Sequence, residues 1–107
     1  METEKELLTI IVQRKDGDKV LDAALKAGAP GATYFYGRGK GVREKLGFLG
    51  NFIEAEKMII MLVLEAGNSK AVLDEVVKKF DISKPGKGFA FVQKIGQVMG
   101  FYSEGTK

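Results

Sequence analysis

Neither a cysteine nor a histidine occurs in the chain. Without thiols there is no disulfide framework and no thiolate nucleophile. Without either residue, zinc and most transition metals lose their usual ligands, and proton transfer near neutral pH loses its commonest group. Long hydrophobic runs are missing too. The longest, Met58 to Leu64, falls far short of the roughly 20 residues a membrane helix needs. The N-terminal stretch METEKELL is polar and acidic, unlike a signal peptide, so a cytoplasmic protein is expected. No repeat or low-complexity tract interrupts the chain. What remains is 107 residues, 45% apolar and 29% charged, which predicts one folded domain over residues 1–107 with a modest core.

The net charge of +3 is concentrated in one place. In GRGKGVREKLGFLG, Arg38, Lys40, Arg43 and Lys45 are opposed by Glu44 alone. A glycine-rich basic segment suits an anion, because backbone amides and cations can both approach it. The same composition also describes a solvated loop.

The order of elements follows from patterning. Leu7 to Val12 reads as a buried strand. KDGD reads as a turn. Val20, Leu21, Ala24 and Leu25 recur at helical spacing, and Gly28 is placed to end that helix. Thr33 to Tyr36 is a second strand by its aromatic content, with a glycine-rich loop from Gly37 to about Ala55. Met58 to Leu64 is a third strand. Asn68 or Ser69 is placed to cap a second helix whose apolar stripe is Val72, Leu73, Val76, Val77 and Phe80. Asp81 to Gly88 is a loop, and Phe89 to Ile95 the fourth strand. This predicts an α+β fold of the ferredoxin-like βαββαβ kind. Two helices cover one face of such a sheet. The first and third strands are apolar on both faces, so a second sheet from another subunit is the simplest cover for the other.

The string KGFAFVQK, residues 87–94, matches the base-stacking strand of an RNA-recognition motif. In that motif a helix and a further strand must follow, and residues 93–107 leave too little chain. The first strand also lacks the aromatic that should stack beside Phe89 and Phe91. These two rings are therefore expected in the core or in a subunit interface. Tyr34 and Tyr36 share one face and are likewise expected to pack at an interface.

Four segments in order, AGAPGAT, GRGKGVREKLGFLG, EAEKMIIMLVLEA and KPGKGFAFVQKIGQVMG, make the chain resemble the P-II nitrogen regulatory proteins and their P-II-like relatives. The resemblance spans essentially the whole chain. It implies a homotrimer with its sheets facing inward, an adenine nucleotide (AMP, ADP or ATP) bound between subunits, and a signalling role rather than an enzymatic one. The glycine-rich segment would be the family's mobile T-loop, about residues 37–55, which regulates a protein target, a membrane transporter or metabolic enzyme, in nitrogen metabolism. Thr33 would bond the adenine. Arg38, Gly39 and Gly41 would face the phosphates, with Lys87 between Gly86 and Gly88 as the phosphate lysine. Lys40, Arg43, Phe48 and Leu49 would present the loop to the target. No metal and no nucleic acid are expected.

The chain departs from the best-known members of that family in three ways. QVMGFYSEG lacks their pair of arginines after the fourth strand, which places triphosphate affinity in question. Residues 37–57 hold no tyrosine for uridylylation. The glutamine that helps hold magnesium and 2-oxoglutarate has no counterpart in GRGKGVREK. Two other functions share the fold. One is a small enzyme acting on a phosphate or acyl-phosphate, which would need an arginine beside a water-holding asparagine. Asn51 and Asn68 are not set beside a phosphate cradle. The other is a CutA-like trimeric tolerance protein, which the lack of His and Cys disfavours as a metal binder.

Overall fold

The computed structural model describes residues 4–39, 45–46, 51–52 and 55–101. In chain order these form β1 (Lys5–Gln13), α1 (Arg14–Lys26), β2 (Thr33–Gly39), β3 (Lys45–Leu46), β4 (Asn51–Phe52), β5 (Ala55–Glu65), α2 (Asn68–Lys79) and β6 (Gly88–Ile95). Four strands make one antiparallel sheet in the order β2-β5-β1-β6. β3 and β4 pair with each other in a separate ladder. The segment expected as a loop over 37–55 is thus bounded differently. β2 continues to Gly39, β5 starts at Ala55, and the short ladder lies between them.

Period-two alternation assigns the faces. Leu8, Ile10 and Val12 of β1 lie beside Leu62, Ile60 and Met58 of β5, and all six are essentially buried. Val20, Ala23 and Ala24 of α1 and Val72 and Val76 of α2 complete this layer. Each large aliphatic side chain so buried contributes roughly 1.5–3 kcal/mol. The opposite face carries Leu7, Thr9 and Ile11 beside Val63, Met61 and Ile59, with Gln93, Phe91 and Phe89 on one side and Thr33 and Phe35 on the other. Phe101 lies against one end of this face, and among the described residues its flanks stay open. Phe35, Phe89 and Phe91 are 49%, 57% and 41% exposed. The two phenylalanines of β6 are therefore not core residues of the single chain. They stack on each other with centroids 6.1 Å apart, on the face that was expected to meet another subunit. Tyr34 and Tyr36 point to the helix side of edge strand β2 and are half exposed.

Two local expectations are corrected. KDGD is not a turn, because α1 begins at Arg14 and runs through it. Gly17 is buried in that helix, where a Cβ would overlap the Met58 thioether. The glycine is there for close packing on β5, not for turning. Neither Asn68 nor Ser69 caps α2 with its side chain. Gly67 is the N-cap residue, and the acceptor comes from β1: Glu6 Oε1 takes hydrogen bonds from the Ser69 hydroxyl at 2.7 Å and the Gly67 amide at 3.3 Å. Gly28 ends α1 as expected, with φ +110°.

Candidate functional site

Three groups of residues bear on binding. The first lies at the β2 edge. Thr33 opens β2 opposite Met61. It lines a hollow of about 220 Å³ with Pro30, Gly31, Ala32, Met61, Val63 and Phe101. The hollow is apolar apart from the threonine hydroxyl and the backbone. β5 runs on to Glu65, beyond its last partner in β2, so among the described residues no strand covers its outer edge at residues 62–65. That edge offers backbone donors and acceptors beside the hollow. Phe101 reaches it from beyond β6. Its ring lies 5.7 Å from Lys5 Nζ, and Lys5 is buried in an ion pair with Glu65 at 3.3 Å. A larger cleft of about 640 Å³ adjoins the hollow and shares Pro30 and Phe101 with it.

The second group is the far end of β2. Gly37, Arg38 and Gly39 pair with Lys57, Glu56 and Ala55. Here the strand root is tied to α1. Arg14 Nη1 donates to both Glu56 oxygens at 3.2 and 3.1 Å, and the guanidinium lies 4.2 Å from the Tyr36 ring centroid.

The third group is the connection between α2 and β6. Ser83 donates from its hydroxyl and its amide to Asp81 Oδ1. The hydroxyl bond, aided by Lys84, holds the Asp81 carboxyl below its ordinary pKa. Backbone bonds from Lys84 to Asp81 and from Lys87 to Lys84 continue the turn, and Gln13 Nε2 donates to the Gly86 carbonyl at 3.2 Å. This places Lys87 in the open with its ammonium 5.1 Å from the Phe80 ring centroid, where Lys19 also approaches at 5.6 Å. Gly86 has φ +82° with open space where a Cβ would stand. Gly88, at φ +137°, is different. A Cβ there would strike the Ile11 carbonyl oxygen, so the sheet itself requires glycine at this position.

Of the residues singled out from sequence, Thr33, Arg38 and Gly39 fall on the β2 edge and Gly86, Lys87 and Gly88 on the β6 edge. Gly37 and Gly88 lie toward the same end of the sheet, but β5 and β1 intervene. Three strand spacings are about 14 Å. Within one chain the two edges do not form one pocket. Lys40, Gly41, Arg43, Phe48 and Leu49 lie outside the residues whose side chains are described. Phe101 was missed, since nothing in the tail's composition marks an aromatic that folds back across the end of the sheet. The stacked pair Phe89 and Phe91 resembles a base platform, yet its partners on that face are Ile11 and Thr9 rather than cations, which suits packing. Among the described residues no group of acidic side chains could hold a metal ion, and no helix is long and apolar enough to cross a membrane.

The family model for nitrogen regulatory protein P-II matches residues 5–104. The chain belongs to the P-II family. It is a P-II-like signal-transduction protein, one of a family of signalling regulators. A B. subtilis GlnK–ATP complex aligns with a TM-score of 0.67 and 19% identity, over 89% of this chain and 84% of that one. Arabidopsis thaliana PII bound to citrate aligns with a TM-score of 0.62 and 22% identity, over 88% and 79%. A Bacillus cereus protein related to NIF3 shares the fold at a TM-score of 0.69 and 17% identity, over 89% of this chain but 26% of the larger one. At such identities these likenesses establish the architecture. No match to a curated protein sequence was found. The ferredoxin-like fold expected from the element order, and implied by the P-II resemblance, is the one observed.

Proposed function

We propose that this P-II protein is a nucleotide-responsive regulator. It binds an adenine nucleotide between the subunits of a cytoplasmic homotrimer and regulates a transporter or metabolic enzyme of nitrogen metabolism through residues 37–55. The observation that carries this reading is the division of the candidate residues between the two edges of one sheet whose apolar face lacks cover. Packing that face against other copies brings the β2 edge of one subunit toward the β6 edge of the next. Thr33, in its apolar hollow, takes the base. Arg38, Gly39 and Gly41 face the phosphates from the same subunit. Lys87 supplies the compact positive charge, with the Gly86 and Gly88 backbone beside it. To do so its ammonium exchanges the Phe80 ring for phosphate oxygens. Lys40, Arg43, Phe48 and Leu49 present the loop to the target. The GlnK relative was solved with ATP, which agrees with the adenine class.

Calorimetric titration with AMP, ADP, ATP and a short RNA tests this. An adenine nucleotide should bind and the RNA should not. A charge-assisted bond to phosphate is worth roughly 1.5–3 kcal/mol, so Lys87→Ala should weaken binding of the phosphorylated ligands about ten- to a hundredfold. Unchanged affinity in that variant removes Lys87 from the site, and absence of all nucleotide binding removes the reading itself.

A further inference from the structure

We propose that Phe101 is the residue that selects a planar base at the Thr33 hollow, an aromatic wall supplied by the C-terminal segment. This rests on the nucleotide reading above and adds to it the residue that grips the base.

Three observations place it there. Phe101 is the residue from outside the 27–33 turn that lines both the hollow and the adjoining cleft. Its position is fixed from both sides. Gly100 has φ +83°, which bends the chain in a way other residues resist, and the ring lies 5.7 Å from the Lys5 ammonium. The Lys5 side chain is itself buried, 8% exposed, and paired with Glu65. The ring is thus held by a cation that belongs to the sheet and does not need a ligand to order it. The hollow's remaining walls, Met61, Val63 and Pro30, are apolar, and its one side-chain hydroxyl is that of Thr33. An apolar slot with an aromatic ring, one hydroxyl and an uncovered strand edge recognises a flat heterocycle carrying donors and acceptors on its rim.

The charged phosphates and the base are then read by different groups of residues. Lys87 senses phosphate number. Phe101 senses the base and is indifferent to how many phosphates follow. Truncating an aromatic that stacks on a base weakens binding about five- to a hundredfold.

Calorimetry of Phe101→Ala, Phe101→Leu and Phe101→Tyr with AMP, ADP and ATP reads this directly, with melting temperature measured on each. Phe101→Ala and Phe101→Leu should weaken every nucleotide that the parent protein binds by one common factor in that range, and Phe101→Tyr should restore affinity. Lys87→Ala should instead weaken ATP more than AMP. The chain contains no tryptophan, so Phe101→Trp adds a single fluorophore whose emission should change on adding adenine nucleotide and not on adding inorganic phosphate. Parent-like affinity in Phe101→Ala overturns the proposal while leaving the nucleotide reading intact. So does full affinity in Phe101→Leu, which would mean that bulk and not the ring is what counts. A parent protein that binds no adenine nucleotide overturns both.

Discussion

The Ser69 hydroxyl donates to Glu6 Oε1 at 2.7 Å across 63 residues of sequence. The same oxygen accepts from the Gly67 amide, so a strand carboxylate performs for α2 what a capping side chain usually does from within the helix. Its negative charge also lies at the positive end of the helix dipole.

Glu6→Ala should therefore destabilise the protein by about 1–2 kcal/mol, the scale of a lost cap. Ser69 is buried, at 3% exposure, and its hydroxyl would be left without this acceptor, which adds to the cost. Urea denaturation gives the difference. Ser69→Ala should cost less, because the Gly67 amide keeps its acceptor. Equal losses in the two variants would show that the hydroxyl, not the carboxylate, holds the helix end.

Gly17→Ala sets two effects against each other. Helix propensity favours alanine by up to about 1 kcal/mol. The new methyl meets Met58 Sδ and also its inner Cβ, and Met58 is 1% exposed with little room to withdraw. Overpacking of this kind costs typically 1–3 kcal/mol, so a net loss is expected. Met58→Ala is costly by itself, but the pair should lose less than the sum of the two single losses, because the obstacle is gone. Thermal melts of the two single variants and the pair would show this as a positive coupling.

Phe89→Ala should act on assembly and little on the fold of the single chain. The ring is 57% exposed and lies on the face away from the helices. Light scattering over a concentration series should show the variant dissociating at concentrations where the parent protein remains associated. Far-ultraviolet circular dichroism of the two should agree.

Acid should loosen the turn that carries Lys87. Asp81 has a lowered pKa in the folded chain, first because of the Ser83 hydroxyl bond. A carboxyl depressed by folding lends stability above its unfolded pKa, and this is lost as pH falls through the folded value. Protection of the Ser83 and Lys84 amides, taken relative to their intrinsic exchange rates, should therefore be steady from neutrality down to the ordinary aspartate range and then fall. In Asp81→Asn that fall should vanish.

How much of this was written in the sequence depends on how far apart the interacting residues are. Leu8, Ile10 and Val12, and Met58 to Leu64, announce themselves by unbroken β-branched and aliphatic runs. The spacing of Val72 and Val76 does the same for α2. These are local signals. The cap on α2 was misassigned because its acceptor lies on β1, and no rule of local spacing reaches Glu6. KDGD was misread because its composition is that of a turn, and only the thickness of Met58 on a distant strand explains a glycine inside the helix. Thr33 and Lys87 are proposed only through resemblance to a family, since an isolated threonine and lysine carry no spacing signature. Phe101 carried no signal at all, because its place depends on where the end of the sheet lies.

The split of the candidate residues between the β2 and β6 edges has a genetic consequence. In the proposed cleft, which takes Thr33 from one copy and Lys87 from its neighbour, either substitution does damage, but one cleft can carry both lesions and leave another intact. In a ring mixed from Thr33-defective and Lys87-defective chains, some junctions pair two sound edges. Two inactive alleles can then restore each other's binding when co-expressed, while two alleles altered on the same edge cannot.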